Sequence, residues 1–338
     1  MPIINGKKGA VEMQFNWIFV LIAGAVILIV FATIAMRQKG VSDTFSDISS
    51  ANGLEAILFG KETAAESISQ VEMPNSKIDF NCNSYSINGV SKSIGHMNLF
   101  MPSSLQGNKM IIMSREWNVP YKVSNFLYMT SPKMRYILIG NSLFARNIFE
   151  SIPELITMEG YTTVDAIQEQ HDDNLRIIFF EQSPTAPIIL NDAGKIHATA
   201  LAVRGNNSYG TVEFFDFANG KFESKGISFY VGEPSLFGAI FSDNLKNYNC
   251  SMEKAFDKLK ILFNIYKEKI GKTSEIYSAG NNKLCLQLYN ETLIPESSKL
   301  LSKFSSAGLY SGEEIANATQ DLEIYNDMAK SLSCIPIY

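Results

Sequence analysis

Histidine is scarce in this sequence: His96, His171 and His197 are all it has, which excludes a His-rich metal centre by count alone. Cysteine is scarce too. Cys82, Cys250, Cys285 and Cys334 are the four, and none is spaced as CxxC or set beside a His, so a zinc site has no ligand pattern to rest on. No Lys/Arg block occurs, and with 29 basic against 34 acidic residues the chain lacks the concentrated positive surface that phosphate binding requires. Nucleic acid is thus set aside as a partner. GxGxxG, HExxH and GxSxG are missing as well, and no cofactor is expected. Gly60-Lys61 is followed by Glu62 and has no upstream glycine at the Walker A spacing. Gly205-Asn206-Asn207-Ser208-Tyr209-Gly210 is one residue too long for a nucleophile elbow, and reads as a loop.

What is present begins with one long apolar run. Trp17 to Met36 reads WIFVLIAGAVILIVFATIAM without a charge, and a helix of that length rises ~30 Å, the thickness of a bilayer's hydrocarbon core. Lys7, Lys8 and Glu12 precede it, Arg37 and Lys39 follow it, and Trp17 stands where an interfacial aromatic would. A signal peptide is shorter and ends at a small-residue cleavage site, which Met36-Arg37-Gln38-Lys39 is not. The run predicts a single-pass anchor whose first partner is the lipid bilayer. Basic residues balance across it, so the positive-inside rule decides little; a short tail before it and a long domain after it favour an N-inside, C-outside signal anchor at the cell membrane. Four sequons, at Asn206, Asn249, Asn290 and Asn317, agree with exposure outside. In that setting four cysteines are compatible with two disulfides in any of three connectivities, and equally with buried free thiols. Pairing among Cys250, Cys285 and Cys334 is favoured over pairing with Cys82 because the three share the last third of the chain.

The stretch GAVEMQFNWIFVLIAGAVILIVF resembles the opening of a group of archaeal membrane proteins of no assigned activity, which share E-x-Q-F-N-W-I-F-V-L-I-x-G-A. PYKVSNFLYMTSPKMRYILIG, Pro120 to Gly140, is similar to that group's central segment. More distantly, the opening resembles archaeal type IV pilin precursors, in which a basic pair and a Gly precede a cleavage point, then a Glu, then a hydrophobic assembly helix. Lys7-Lys8-Gly9 and Glu12 correspond, although pilins place the Glu five residues after the cut and Glu12 is third after Gly9. The resemblance covers about the first 35 residues and implies an archaeal membrane protein.

Beyond a tail at 1–16 and the span at 17–36, residues 37–73 read as a helical stalk interrupted near Asn52-Gly53. A mixed sheet domain is expected over 74–232, with strands near 78–87, 109–115, 122–129, 134–139, 174–181, 196–203, 210–217 and 222–231. RYILIG leads through Asn141-Ser142 into a helix ending before Pro153, a β-turn-α unit. A short helix over 165–170 would allow part of the sheet to be parallel, and Asn219-Gly220 signals a hairpin. Over 233–338 helices take over. One spans 251–270, capped by Ser251 and stopped by Gly271, and another runs from Gly312 or Glu313 to Ser333, both with apolar faces suited to packing on the sheet. The fold class is α+β.

Chemistry has few footholds. His171-Asp172-Asp173 offers an imidazole and two carboxylates, but adjacent residues seldom converge on one ion, and the cluster reads as a solvated loop. His197 reads as a sheet residue, and Glu213 and Asp216, three apart on a strand, fall on opposite faces. Asn141 and Ser142 stand where an anion site or, more commonly, a cap would be. Arg115-Glu116-Trp117 and Arg135-Tyr136 put charge beside aromatics that usually pack. The absence of motifs favours a non-enzymatic, membrane-anchored surface protein of structural, adhesion or assembly type, meeting other membrane or envelope proteins. The alternatives are an extracytoplasmic enzyme or ligand-binding protein whose site is assembled from distant residues, and a large pilin-like subunit.

Overall fold

One continuous helix, α1 (Gly9–Thr63), carries the chain out of the apolar run and onto the body of the protein. The computed structural model describes residues 9–64, 66–163, 174–184, 197–218, 221–280, 282–293, 295–299 and 312–338, with the backbone alone at 9–18, 37–43 and 197. Phe19–Met36 is long and apolar enough to cross a membrane, and none of it is buried in the protein. Further along, Ala51, Leu54 and Leu58 recur at helical spacing and are buried against Ile78, Tyr85 and Met129. The same helix therefore offers an apolar surface first outside the protein and then inside it. Its last carbonyls are satisfied from the sheet: Asn125 Nδ2 donates to Glu62 O (2.7 Å) and Ala64 O (3.1 Å), and Ser114 Oγ donates to Ala64 O (2.9 Å).

Two six-stranded sheets follow. The first holds β1 (Ser67–Asn81), β2 (Ser84–Ile87), β3 (Val90–Ser93), β4 (Asn98–Phe100), β5 (Ser104–Asn118) and β6 (Lys122–Thr130), in the order β3-β2-β1-β5-β6-β4. All its pairings are antiparallel except β4 with β6. The second holds β7 (Met134–Ile139), β8 (Met158–Tyr161), β9 (Asn174–Phe180), β10 (His197–Gly205), β11 (Tyr209–Ala218) and β12 (Lys221–Val231), in the order β12-β11-β10-β9-β7-β8. Its β8-β7-β9-β10 half is parallel and its β10-β11-β12 half antiparallel. Helix α2 (Leu143–Glu150) starts directly after β7. Helix α3 (Glu233–Phe241) is buried at every residue from Ser235 to Phe241, as befits a helix apolar all round. It joins Phe100, Trp117 and Tyr128 of the first sheet to Leu201, Phe214 and Tyr230 of the second in one core. Close approach is built in at Gly238, where a Cβ would meet the Phe100 ring at 2.8 Å.

Helices α4 (Leu245–Ala279), α5 (Lys283–Leu288), which runs on into a π-turn (Tyr289–Leu293), and α6 (Gly312–Ser331) complete the α+β fold. Their outer parts form a smaller core of Ile270, Leu293, Ala329 and Ile337. Two disulfides tie them down: Cys82 to Cys250, with Cα atoms 5.9 Å apart, and Cys285 to Cys334, 5.7 Å apart. The pairing differs from the expectation in one respect, since Cys250 is bridged to Cys82 of the first sheet and not to a cysteine of the last third.

Other expectations are corrected locally. α1 runs unbroken through Asn52-Gly53 and ends at Thr63, and β1 begins four residues later inside the expected stalk. The run at 78–87 is a hairpin, the end of β1 paired with β2 around Asn81–Ser84. β3, β4 and β8 were not anticipated. α4 starts at Leu245 under an Asn244 cap, whose side chain accepts from Asn247 N at 2.8 Å, and it runs through Gly271 to Ala279. Ser251 is no cap; it is buried within α4, where its hydroxyl donates to Leu99 O at 2.8 Å. The expected helix at 165–170 and the turn residues Asn219-Gly220 lie outside the described residues, although Ala218 pairs with Lys221 across that hairpin.

Candidate functional site

Side chains on the core face of the second sheet form one polar row across four strands. Tyr136 on β7 lies opposite Arg176 on β9, Arg176 opposite Thr199 on β10, and Thr199 opposite Asp216 on β11. Leu201, Val203, Val212 and Phe214 continue that face as hydrocarbon, so the row is an interruption of the core. Arg176 is fully buried. Its guanidinium donates to Ala239 O (3.0 Å), Ile240 O (3.3 Å) and Asp243 O (3.4 Å) at the end of α3, and to Ala200 O (3.2 Å). It also lies 5.3 Å from the Phe214 ring centre. A cation at a helix C-terminus meets the negative end of the helix dipole and the free carbonyls together. Burial pushes its pKa down to about 10 while Asp243, Tyr136 and Asp216 draw it back up, so it stays charged at neutral pH.

Asp243 forms the next layer outward. Its carboxylate accepts from Ser103 N (2.8 Å), Ser103 Oγ (2.7 Å) and Asn244 Nδ2 (2.9 Å), which ties the start of α4 to the first sheet. Between Asp243 and the β11–β12 hairpin opens a cleft of about 430 Å³, lined among others by Ser103, Thr199, Asp216, Phe217, Lys225 and Asn244. Asp216 faces Lys225 at 3.7 Å. Thr199 Oγ1 and Ser242 Oγ are buried without a hydrogen-bond partner. Asp243 is consumed by its own partners, so the cleft offers one carboxylate and one ammonium, paired with each other, and a hydroxyl. Among the described residues no group of three His, Cys, Asp or Glu is placed to hold a metal ion.

The residues singled out from sequence resolve into structural roles. Arg115 donates to Glu233 Oε1 (2.7 Å) at the start of α3 and to Ser151 O beyond α2, and stacks 4.2 Å from the centre of the Phe237 ring. Trp117 is buried, with Nε1 donating to Val231 O at 2.8 Å. Arg135 pairs with Glu159, and Tyr136 OH bonds Thr130 Oγ1 at 2.8 Å. Ser142 caps α2, its Oγ accepting from Ala145 N at 3.2 Å. Glu213 meets Arg204 and Ser224 whereas Asp216 meets Lys225, and the two belong to opposite faces of β11. His96 is exposed, and His171-Asp172-Asp173 and the side chain of His197 lie outside the described residues. Of the membrane-interface set, Trp17, Arg37 and Lys39 ride on the backbone of α1, while Lys7 and Lys8 precede the described residues. Arg176 was missed; a lone Arg inside the apolar strand NLRIIFF is the signal that marks it. Compared with family models, curated proteins and solved structures, the chain matches none.

Proposed function

We propose that the protein is a membrane-anchored surface protein whose domain stands outside the cell membrane and serves structure, adhesion or assembly with other envelope proteins. The observation that carries this is the continuity of α1: an apolar span free of protein contacts passes, with no flexible linker, into a helix docked on the first sheet. A body held at a fixed attitude to the bilayer suits a structural element more than a freely swinging catalyst. Two disulfides favour the oxidising side of the membrane. Phe45 and Phe59, 74% and 56% exposed on α1 beyond the span, give the helix apolar contacts to offer a neighbour.

The test is protease treatment of intact cells combined with alkaline carbonate extraction. The expected result is a domain shaved from outside and an anchor that stays with the membrane. A domain protected until the cells are lysed, or a chain released by carbonate, refutes the proposal.

A second reading, the pilin-like subunit, is favoured by the same helix, half protruding and half laid on a mainly antiparallel sheet, together with Lys7-Lys8-Gly9 and Glu12. It predicts a mature N-terminus at Ala10. Mass spectrometry of the membrane-derived protein showing Met1–Gly9 retained would exclude it.

A further inference from the structure

Resting on the outward placement of the domain, we infer that Asn206 is an N-glycosylation site, and that the fold selects it from the four sequons. The other three sit in helical backbone. Asn249 is half-buried in α4 beside the bridged Cys250, Asn290 lies in the π-turn and accepts a hydrogen bond from Ser274 Oγ, and Asn317 lies in α6 with Thr319 buried and its hydroxyl donating to Ala316 O. In each, helical hydrogen bonding fixes the acceptor triplet. Asn206-Asn207-Ser208 instead forms the tip of the β10–β11 hairpin, with all three residues exposed.

The tip is held from below. Gly205 sits at φ 139°, and a Cβ on Gly210 would lie 2.2 Å from Arg204 O, so both flanks must be glycine. Tyr230 OH donates to Asn206 O (2.7 Å), and Gly232 N donates to Ser208 O (2.7 Å). Asn206 Oδ1 accepts from Ser208 N (2.8 Å) and Tyr209 N (3.1 Å), which leaves the amide nitrogen facing outward. The Ser208 hydroxyl enters none of these bonds.

The reaction joins Asn206 Nδ2 to the anomeric carbon of a glycan carried on a lipid-linked phosphate. The new N–C bond replaces the C–O bond to phosphate, the amide proton passes to the transferase's base, and the lipid phosphate leaves with the electron pair.

The experiment is peptide mapping by mass spectrometry on the full-length chain purified from its own membranes, alongside the variants Ser208→Ala and Ser208→Thr. The expected result is a hexose-containing addition on the Asn206 peptide, lost in Ser208→Ala and kept in Ser208→Thr, with both variants folded because Ser208 anchors through its backbone. A bare Asn206, or glycan confined to Asn249, Asn290 or Asn317, overturns the assignment. Protease treatment of the same intact cells shows whether the outward placement falls with it: a shaved domain with a bare Asn206 defeats the site alone.

Discussion

Arg176 concentrates the residue-scale physics. Four carbonyl oxygens accept from its guanidinium, and removal costs roughly 1–3 kcal/mol for each buried group it leaves unsatisfied. Arg176→Met keeps the length and discards the donors, so urea unfolding should show a loss of at least about 3 kcal/mol. A loss under about 1 kcal/mol would mean that water replaces the guanidinium. The buried phenols set a pH limit. Burial pushes Tyr85 and Tyr289 up to about 12, and Tyr121, Tyr136, Tyr230 and Tyr248 higher still, from an ordinary value of 10.0. Above pH 10 the unfolded chain sheds phenolic protons that the folded chain keeps, so the folded state binds more protons and stability falls as pH rises. The contribution is whole below pH 10 and lost through 12 and beyond. The urea midpoint should therefore fall between about pH 9 and about pH 11, and a midpoint that holds or rises over that interval contradicts the phenol burial.

At the scale of elements, α1 shows how tertiary contact overrides local preference. Asn52-Gly53 reads as a break because Gly costs a helix about 1 kcal/mol, yet Ala51, Leu54 and Leu58 each gain burial only if the helix continues. Gly53 itself meets open space, so Gly53→Ala should raise stability by roughly 0.5–1 kcal/mol. Leu58→Ala, at a fully buried position, should lower it by about 2–5 kcal/mol. Denaturation in detergent of the full chain measures both, and a destabilising Gly53→Ala would show that the helix bends there. The same override explains Gly271, where α4 continues because Ile270 before it and Thr273 and Ser274 beyond it are buried. Legible in the sequence were the elements whose own pattern sufficed: the apolar run, β6, β7, β9 to β12, the Ser142 cap, and the apolar faces of α4 and α6. Illegible were the first half of β1 and all of β3, β4 and β8, strands that are very short, or polar and Pro-containing like SISQVEMPNS, and that are strands because a neighbour supplies the ladder. The polar row was illegible for a related reason: Tyr136, Arg176, Thr199 and Asp216 become neighbours only through the pairing of β7, β9, β10 and β11, a register no single segment encodes.

For the whole molecule, the two disulfides divide the labour unequally. Cys82–Cys250 spans 168 residues and clamps the first sheet to α4, so the loop it closes contains β2 to β6, the whole second sheet and α3; Cys285–Cys334 spans 49 and staples α5 to the residues after α6. If cross-links act mainly by restricting the unfolded chain, the longer loop contributes about 5 kcal/mol and the shorter about 4 kcal/mol. Position in the fold widens that gap. Losing the first bridge frees the clamp on the common core, whereas the second guards only the smaller core of Ile270, Leu293, Ala329 and Ile337, which can open by itself. Replacing Cys82 and Cys250 together with Ser should therefore lower the global unfolding midpoint more than replacing Cys285 and Cys334. The second pair should instead speed amide hydrogen exchange over α5 and α6 while the strands of both sheets keep their protection. If the order of midpoints reverses, the C-terminal helices hold the two sheets together, and the clamp at Cys82 is a local fastening.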